Sequence, residues 1–80
     1  MLTVTQLARK YDISRTTILY YEREGLLMPH TRSENSYRWY GQTEIKRLEA
    51  IMAYRAFGIP VSNIAPLLNR EDDREQERIL

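Results

Sequence analysis

The 80 residues predict one small, mainly α domain of about four helices plus a short β-hairpin. Apolar residues recur at helical spacing in four segments, and residue types that cap or end helices separate these segments. Between the second and third segments, a polar stretch precedes Tyr37-Arg38-Trp39-Tyr40, which is rich in residues that favour strands. A chain of this length buries only about 60% of its unfolded surface, so one core and no spacious catalytic pocket are expected.

The first two helices are predicted from caps and periodicity. Thr3 or Thr5 can cap the first helix, and Gln6 stands in capping-box register with Thr3. Asp12 tolerates the left-handed conformation at the helix end, and Ser14 is a strong N-cap for a second helix over about residues 15–24. The apolar positions of the first helix are Val4, Leu7, Ala8 and Tyr11. Two short helices joined by a tight turn make a helix-turn-helix.

The second helix has two distinct faces. Ile18 and Tyr21 lie on the side expected to face the core. The opposite face combines polar, apolar, aromatic and charged residues, unlike a helix face that only contacts solvent. Its residues are Thr16, Leu19, Tyr20 and Arg23.

Residues 31–40 are interpreted as a hairpin, or wing, with Asn35-Ser36 in the turn. Alternation along the second strand puts Tyr37 and Trp39 on one face and Arg38 and Tyr40 on the other. We expect Tyr40 to be the core residue of this segment. Together with the paired helices, the hairpin predicts a winged helix-turn-helix.

The third and fourth helices complete the core. Thr43 is expected to cap a helix from Glu44 to Phe57, which Gly58 ends. Its apolar stripe consists of Ile45, Leu48, Ile51 and Met52. The fourth helix contains Ile64, Leu67 and Leu68, and Ser62 as its N-cap would leave Pro66 in the tolerated first turn.

Charge divides the chain at residue 69. Residues 1–68 carry nine Lys or Arg against six acids, whereas residues 69–80 carry three against five. We therefore expect a mildly basic domain over residues 1–69 and a charged tail over 70–80, either solvated or the start of a dimerisation helix. Mild basicity suits a phosphate-binding surface but is common in proteins that never meet DNA.

Composition excludes several kinds of site. The sequence has no cysteine and one histidine, His30, which we expect to be an inert loop residue, so no metal and no cofactor are predicted. No nucleophile paired with a base and no phosphate-cradling glycine loop is found, so an enzyme is not expected. The absence of a long apolar run predicts a cytoplasmic protein without membrane contact.

Several segments of the sequence resemble a known family. Tyr20-Tyr21-Glu22 before Gly25-Leu26-Leu27, followed by Glu34-Asn35-Ser36-Tyr37-Arg38-Trp39-Tyr40, is similar to the N-terminal domain of bacterial MerR-family transcription regulators. The resemblance covers about residues 4–68.

The resemblance implies a homodimer that binds double-stranded promoter DNA, with the second helix in the major groove and the wing on the phosphate backbone. It also implies that the promoter is distorted so that RNA polymerase can use it. The implied DNA-binding residues are Ser14, Arg15, Thr16, Thr17, Leu19 and Tyr20 on the second helix, Arg32, Tyr37 and Arg38 in the wing, and Arg55 on the third helix. Without the resemblance, the wing arginines could be solvated charges, and Arg55 could merely lie at the edge of the core.

The sequence departs from the family pattern at three positions. The family usually has arginine at the position of Leu19 and often at Thr16, and a glycine at the position of Ser36. Leu19 can pack on a thymine methyl group and Thr16 can hydrogen bond a base edge, so a changed target sequence is expected. The segment after residue 69 is too short for a stable coiled coil, so we expect a piece of a longer protein that dimerises weakly by itself.

Two alternatives share this fold. A protein-interaction module that has lost DNA binding is consistent with the missing arginines at Thr16 and Leu19. A phage or recombination accessory protein would bend DNA without affecting transcription. Salt-dependent binding to promoter DNA distinguishes the regulator from the interaction module.

Overall fold

The computed structural model describes residues 1–32 and 37–79, with residues 71–79 described by their backbone alone. Within these ranges the chain forms four helices and a three-stranded antiparallel sheet, as the sequence predicts for the helices and the wing. The elements are β1 (Leu2–Thr3), α1 (Val4–Tyr11), α2 (Arg15–Arg23), β2 (Thr31–Arg32), β3 (Arg38–Tyr40), α3 (Gln42–Ala56) and α4 (Val61–Ile79).

Side-chain caps fix the turn between α1 and α2. The Thr3 hydroxyl accepts the Gln6 N–H at 3.2 Å, and the Gln6 side-chain oxygen accepts the Thr3 N–H at 2.9 Å. Asp12 follows α1 in the left-handed region, with φ of 53°. The Ser14 hydroxyl then accepts the Thr17 N–H at 3.1 Å and begins α2. The predicted capping box, left-handed exit and N-cap are all confirmed.

The sheet contains one strand that was not predicted. Its order is β1-β3-β2, with β3 in the centre, and both pairs are antiparallel. Leu2 stands opposite Tyr40, and Thr31 stands opposite Trp39. β1 therefore ties the start of α1 to the wing. The predicted turn at Asn35-Ser36 lies outside the described residues.

The expected starts of α3 and α4 are wrong by a few residues. α3 begins at Gln42 after Gly41, so Thr43 lies inside the helix instead of capping it. α4 begins at Val61, so Ser62 is not its N-cap and Pro66 lies beyond the first turn. Because proline has no N–H, the Ser62 carbonyl receives no intrahelical hydrogen bond from it. Pro66 is exposed, where water can reach the helix backbone.

All four helices and β3 contribute side chains to one core. The side chains that are fully buried are Leu7, Ile18, Leu26, Leu27, Tyr40, Leu48, Ile51 and Ile64. Tyr40 is therefore a core residue, as predicted, and none of the described residues provides a hydrogen-bond partner for its hydroxyl. α4 runs without a break past residue 69, where the sequence placed the end of the domain.

None of the helices in residues 1–32 and 37–79 combines the length and the apolar character that crossing a membrane requires.

Candidate nucleic-acid interface

The outer face of α2 is accessible. Arg15 and Thr16 are exposed, Tyr20 is 40% exposed and Leu19 is half-buried. Ile18 and Tyr21 are buried on the opposite face, as predicted. An accessible helix face that combines a cation, hydroxyls, an aromatic ring and an apolar residue can make the kinds of contact by which proteins read base edges.

Two of the residues expected at the interface act in the cap of α2. The hydroxyls of Ser14 and Thr17 lie 2.8 Å apart and hydrogen bond each other, and Ser14 also accepts the Thr17 N–H. Thr17 is half-buried. These contacts orient the first turn of α2, where Arg15 and Thr16 lie.

Glu22 joins the wing to α2. The Arg38 Nε donates to Glu22 Oε2 at 2.7 Å, and an Nη of Arg32 donates to Glu22 Oε1. The Glu22 side chain is only 10% exposed, whereas those of Arg32 and Arg38 are 52% and 31% exposed. The sequence placed Arg32 and Arg38 at the interface but gave no role to Glu22. Its place in the Tyr-Tyr-Glu motif was the available signal, but an acidic side chain does not indicate a phosphate contact.

A shallow groove separates the outer face of α2 from the wing. Its lining combines apolar and charged side chains, namely Leu19, Glu22, Arg23, Met28, Arg32 and Arg38. Guanidinium groups bind phosphate oxygens through charge-assisted hydrogen bonds, and an apolar patch suits a sugar or a thymine methyl group. The groove can therefore receive a nucleic-acid backbone beside an exposed base edge.

Two other predicted residues lie outside this lining. Tyr37 stands just before β3 and is 59% exposed, so its hydroxyl is available for a phosphate. Arg55 donates from Nη1 to the Ile59 carbonyl at 3.1 Å, at the end of α3. This contact gives Arg55 a structural role in the turn to α4, while the side chain stays exposed.

The sequence predicted that His30 is an inert loop residue, but the structure gives it two contacts. Its N–H donates to the Trp39 carbonyl at 2.8 Å, next to the β2–β3 pairing. Its Nδ1 lies 3.2 Å from Oε1 of the buried Glu44, which forms an ion pair when the imidazole is protonated. A contact with a residue on α3, distant in sequence, could not be seen from the chain alone.

Tyr40 lies beneath the wing arginines. Burial raises the pKa of its phenol above the ordinary value of 10.0, and the negative charge of Glu22 raises it further. Arg38 and Arg32 act in the opposite direction and do not outweigh burial. The central strand thus exposes Arg38 and keeps a neutral Tyr40 in the core.

In the part of the chain that the structure describes, no three His, Cys, Asp or Glu side chains cluster closely enough to hold a metal ion.

Comparison with known proteins identifies the family. Residues 2–71 match the model of the MerR HTH family regulatory proteins. The transcriptional regulator BrlR of Pseudomonas aeruginosa is 42% identical over 65 residues, which are 80% of this chain and 24% of BrlR. The ZntR homologue of Haemophilus influenzae is 33% identical over 76 residues, which are 95% of this chain and 56% of that regulator. The chain thus spans between a quarter and about half of these relatives.

Solved structures agree with the family match. The transcription regulator PbrR691 from Ralstonia metallidurans CH34, in complex with lead(II), superposes with a TM-score of 0.82 at 36% identity, over 94% of this chain and 59% of PbrR691. The predicted winged helix-turn-helix fold and the family resemblance are confirmed. The chain belongs to the MerR HTH family of regulatory proteins.

Proposed function

We propose that this chain is the DNA-binding domain of a bacterial transcription regulator, with α2 in the major groove and the wing on the phosphate backbone. The observation that carries the proposal is the groove between α2 and the wing, where an accessible helix face adjoins Arg32 and Arg38. A relative supports it: HiNmlR, a MerR family regulator lacking the sensor domain and bound to promoter DNA, has 26% sequence identity, a TM-score of 0.76, and overlap over 96% of this chain and 64% of its own.

The residues divide into two functions. Arg32, Arg38 and Tyr37 fix the register of the protein by contacting phosphates, which carry no sequence information. Arg15, Thr16, Leu19 and Tyr20 on α2 read base edges. Ser14 and Thr17 support this set through the helix cap. Arg55 contributes a phosphate contact from the exposed end of α3.

We further propose that the full-length protein acts as a homodimer on a two-fold symmetric promoter and distorts it to the benefit of RNA polymerase. Its place of action is then the bacterial cytoplasm, at the nucleoid. Residues 70–80 are proposed to begin the dimerisation helix, since α4 continues to Ile79. This domain alone is expected to dimerise weakly, which light scattering at micromolar concentration would test.

Selection from a library of random duplexes tests the proposal. Because this domain dimerises weakly by itself, we expect the chain to enrich a single half-site sequence, of which the full-length homodimer would need two inverted copies about one helical turn apart. Fluorescence anisotropy on the enriched duplex and on a scrambled one, at several salt concentrations, should give a preference for the first and a steep salt dependence for both. Absence of salt-dependent binding to either duplex would contradict the proposal and favour the protein-interaction alternative.

Leu19 is expected to select a base. Leu19→Gln replaces an apolar contact with an amide that can hydrogen bond adenine, so the preferred base pair should change at one position of each half-site, by about 1–3 kcal/mol of discrimination. The slope of affinity against salt should stay the same because no phosphate contact is altered.

Repeating the selection with Leu19→Gln measures this change, and circular dichroism checks that the half-buried site is still folded. An unchanged preferred sequence would mean that Leu19 does not contact bases.

A further inference from the structure

We propose that Glu22 is a positioning residue for DNA binding: it holds both wing arginines against α2 so that their free N–H groups face one phosphate track. The inference rests on the proposed function and assigns a role to a side chain that is not expected to touch DNA itself. Its basis is the cluster of Glu22, Arg32 and Arg38, which joins residues 10 and 16 positions apart in the sequence.

Burial orders the three side chains by depth. The Glu22 carboxylate is nearly enclosed, and the two guanidinium groups are markedly more exposed. The anion therefore lies beneath the cations, which shield it from an approaching phosphate. An acidic residue at the surface of the groove would instead repel DNA directly.

The hydrogen bonds leave donors for DNA. A guanidinium carries five N–H donors, and the contacts with Glu22 engage the Nε of Arg38 and one Nη of Arg32. The remaining donors of Arg38 are both Nη groups, which form the end of the side chain. A guanidinium held through Nε presents that end outward in a fixed orientation, as bidentate phosphate binding requires.

Fixing the arginines before binding reduces the entropy lost on binding. A free arginine samples many rotamers, and immobilising them on DNA lowers affinity. The cluster also sets the distance between the wing and α2, so the phosphate contacts and the base contacts fall in one register.

This role predicts the opposite of what simple charge counting predicts. Glu22→Gln removes a negative charge from the DNA-facing groove, which by long-range electrostatics alone should strengthen binding. If Glu22 positions the arginines, the same variant should bind the wild-type-selected duplex roughly five- to tenfold more weakly, as expected for coupled residues of one network. The slope of log affinity against log salt should stay unchanged or become steeper, because every phosphate-binding cation is still present.

Three further variants isolate the effect. Glu24→Gln makes the same charge change at the exposed end of α2 and should leave the affinity within about twofold of wild type. Glu22→Asp keeps the charge but shortens the side chain, so it should also weaken DNA binding. If Glu22→Gln is unfolded at the assay temperature, the affinity of Glu22→Asp tests the positioning role instead. In an Arg32→Gln/Arg38→Gln background, Glu22→Gln should cause no further loss.

Fluorescence anisotropy with the duplex selected by wild type measures the affinity of each variant. Circular dichroism melts show whether each variant is folded at the assay temperature. The positioning role is supported if both Glu22 variants bind DNA more weakly than wild type and if Glu22→Gln causes no further loss of affinity in the Arg32→Gln/Arg38→Gln background. The positioning role is overturned if a folded Glu22→Gln binds DNA as tightly as wild type or more tightly. It is also overturned if Glu22→Gln lowers the affinity of the Arg32→Gln/Arg38→Gln variant as much as it lowers that of wild type. If wild type itself selects no duplex, the proposed function fails and this inference with it, whereas the other outcomes leave the proposed function intact.

Discussion

Arg38→Glu is expected to weaken binding to the selected duplex roughly 100-fold at about 0.1 M salt. The variant lacks the phosphate-binding cation that is best fixed in the wing and places an anion against the Glu22 carboxylate. Like charges at this short distance repel, and Glu22 is nearly buried, so water screens the repulsion poorly. The wing should therefore move away from α2, which would remove the contribution of Arg32 as well.

Two readouts distinguish weaker phosphate binding from a general weakening of the complex. The slope of log affinity against log salt should decrease by about one for each phosphate that the variant no longer neutralises. The preference for the selected duplex over a scrambled one should decline less than the affinity, because phosphates carry no sequence information. Anisotropy titrations at four or more salt concentrations measure both quantities.

Lys46→Glu is the matched control for Arg38→Glu. It makes the same charge reversal on α3, at an exposed residue that does not line the groove. Only the small, salt-sensitive effect of changing the overall charge is expected from it. If Lys46→Glu weakened binding as much as Arg38→Glu, the effect would come from overall charge, and the wing could not be assigned to the phosphate backbone.

The features that the sequence predicted correctly depend on near neighbours. The Thr3 and Gln6 box, the Ser14 cap and the left-handed Asp12 all involve residues at most four positions apart, so their geometry follows from local backbone rules. The burial of Ile18 and Tyr21 followed from helical periodicity.

The features that were missed depend on contacts between distant residues. β1 has two residues, too few for any alternating pattern, and it exists because Leu2 pairs with Tyr40. Glu22 and His30 have roles only because β3 and α3 bring Arg38 and Glu44 to them. The family resemblance predicted arginines at the interface but could not reveal that Glu22 hydrogen bonds two of them.

The starts of α3 and α4 show how packing overrides local preference. Thr43 has a hydroxyl that can cap a helix and Gly41 makes no side-chain cap, yet α3 begins directly after β3, which fixes Gly41 beside the sheet. Pro66 should likewise favour a later start for α4, but the helix begins at Val61, which is partly buried against the core. Packing that side chain favours a helix that already includes it, at the cost of one backbone hydrogen bond.

Tyr40→Phe is expected to stabilise the domain by about 1–2 kcal/mol at pH 7. The Tyr40 ring is fully buried in the core, and its hydroxyl has no hydrogen-bond partner among the described residues. Removing a buried, unpaired hydroxyl removes its desolvation cost, while the phenylalanine ring keeps the packing.

The gain from Tyr40→Phe should grow in alkali. The pKa of Tyr40 is raised in the folded protein, so above the ordinary value of 10.0 the unfolded chain loses this proton while the folded chain retains it. The contribution of Tyr40 to stability is thus fully present below pH 10 and declines as the pH rises through the folded pKa. Phenylalanine has no proton to lose, so this part of the alkaline destabilisation should vanish in the variant.

Urea unfolding followed by circular dichroism, at pH 7 and at about pH 11, measures both effects. The exposed Tyr37→Phe is the control for loss of a phenol and should alter stability little at either pH. A loss of stability in Tyr40→Phe at pH 7 would mean that the hydroxyl is hydrogen bonded in the folded domain.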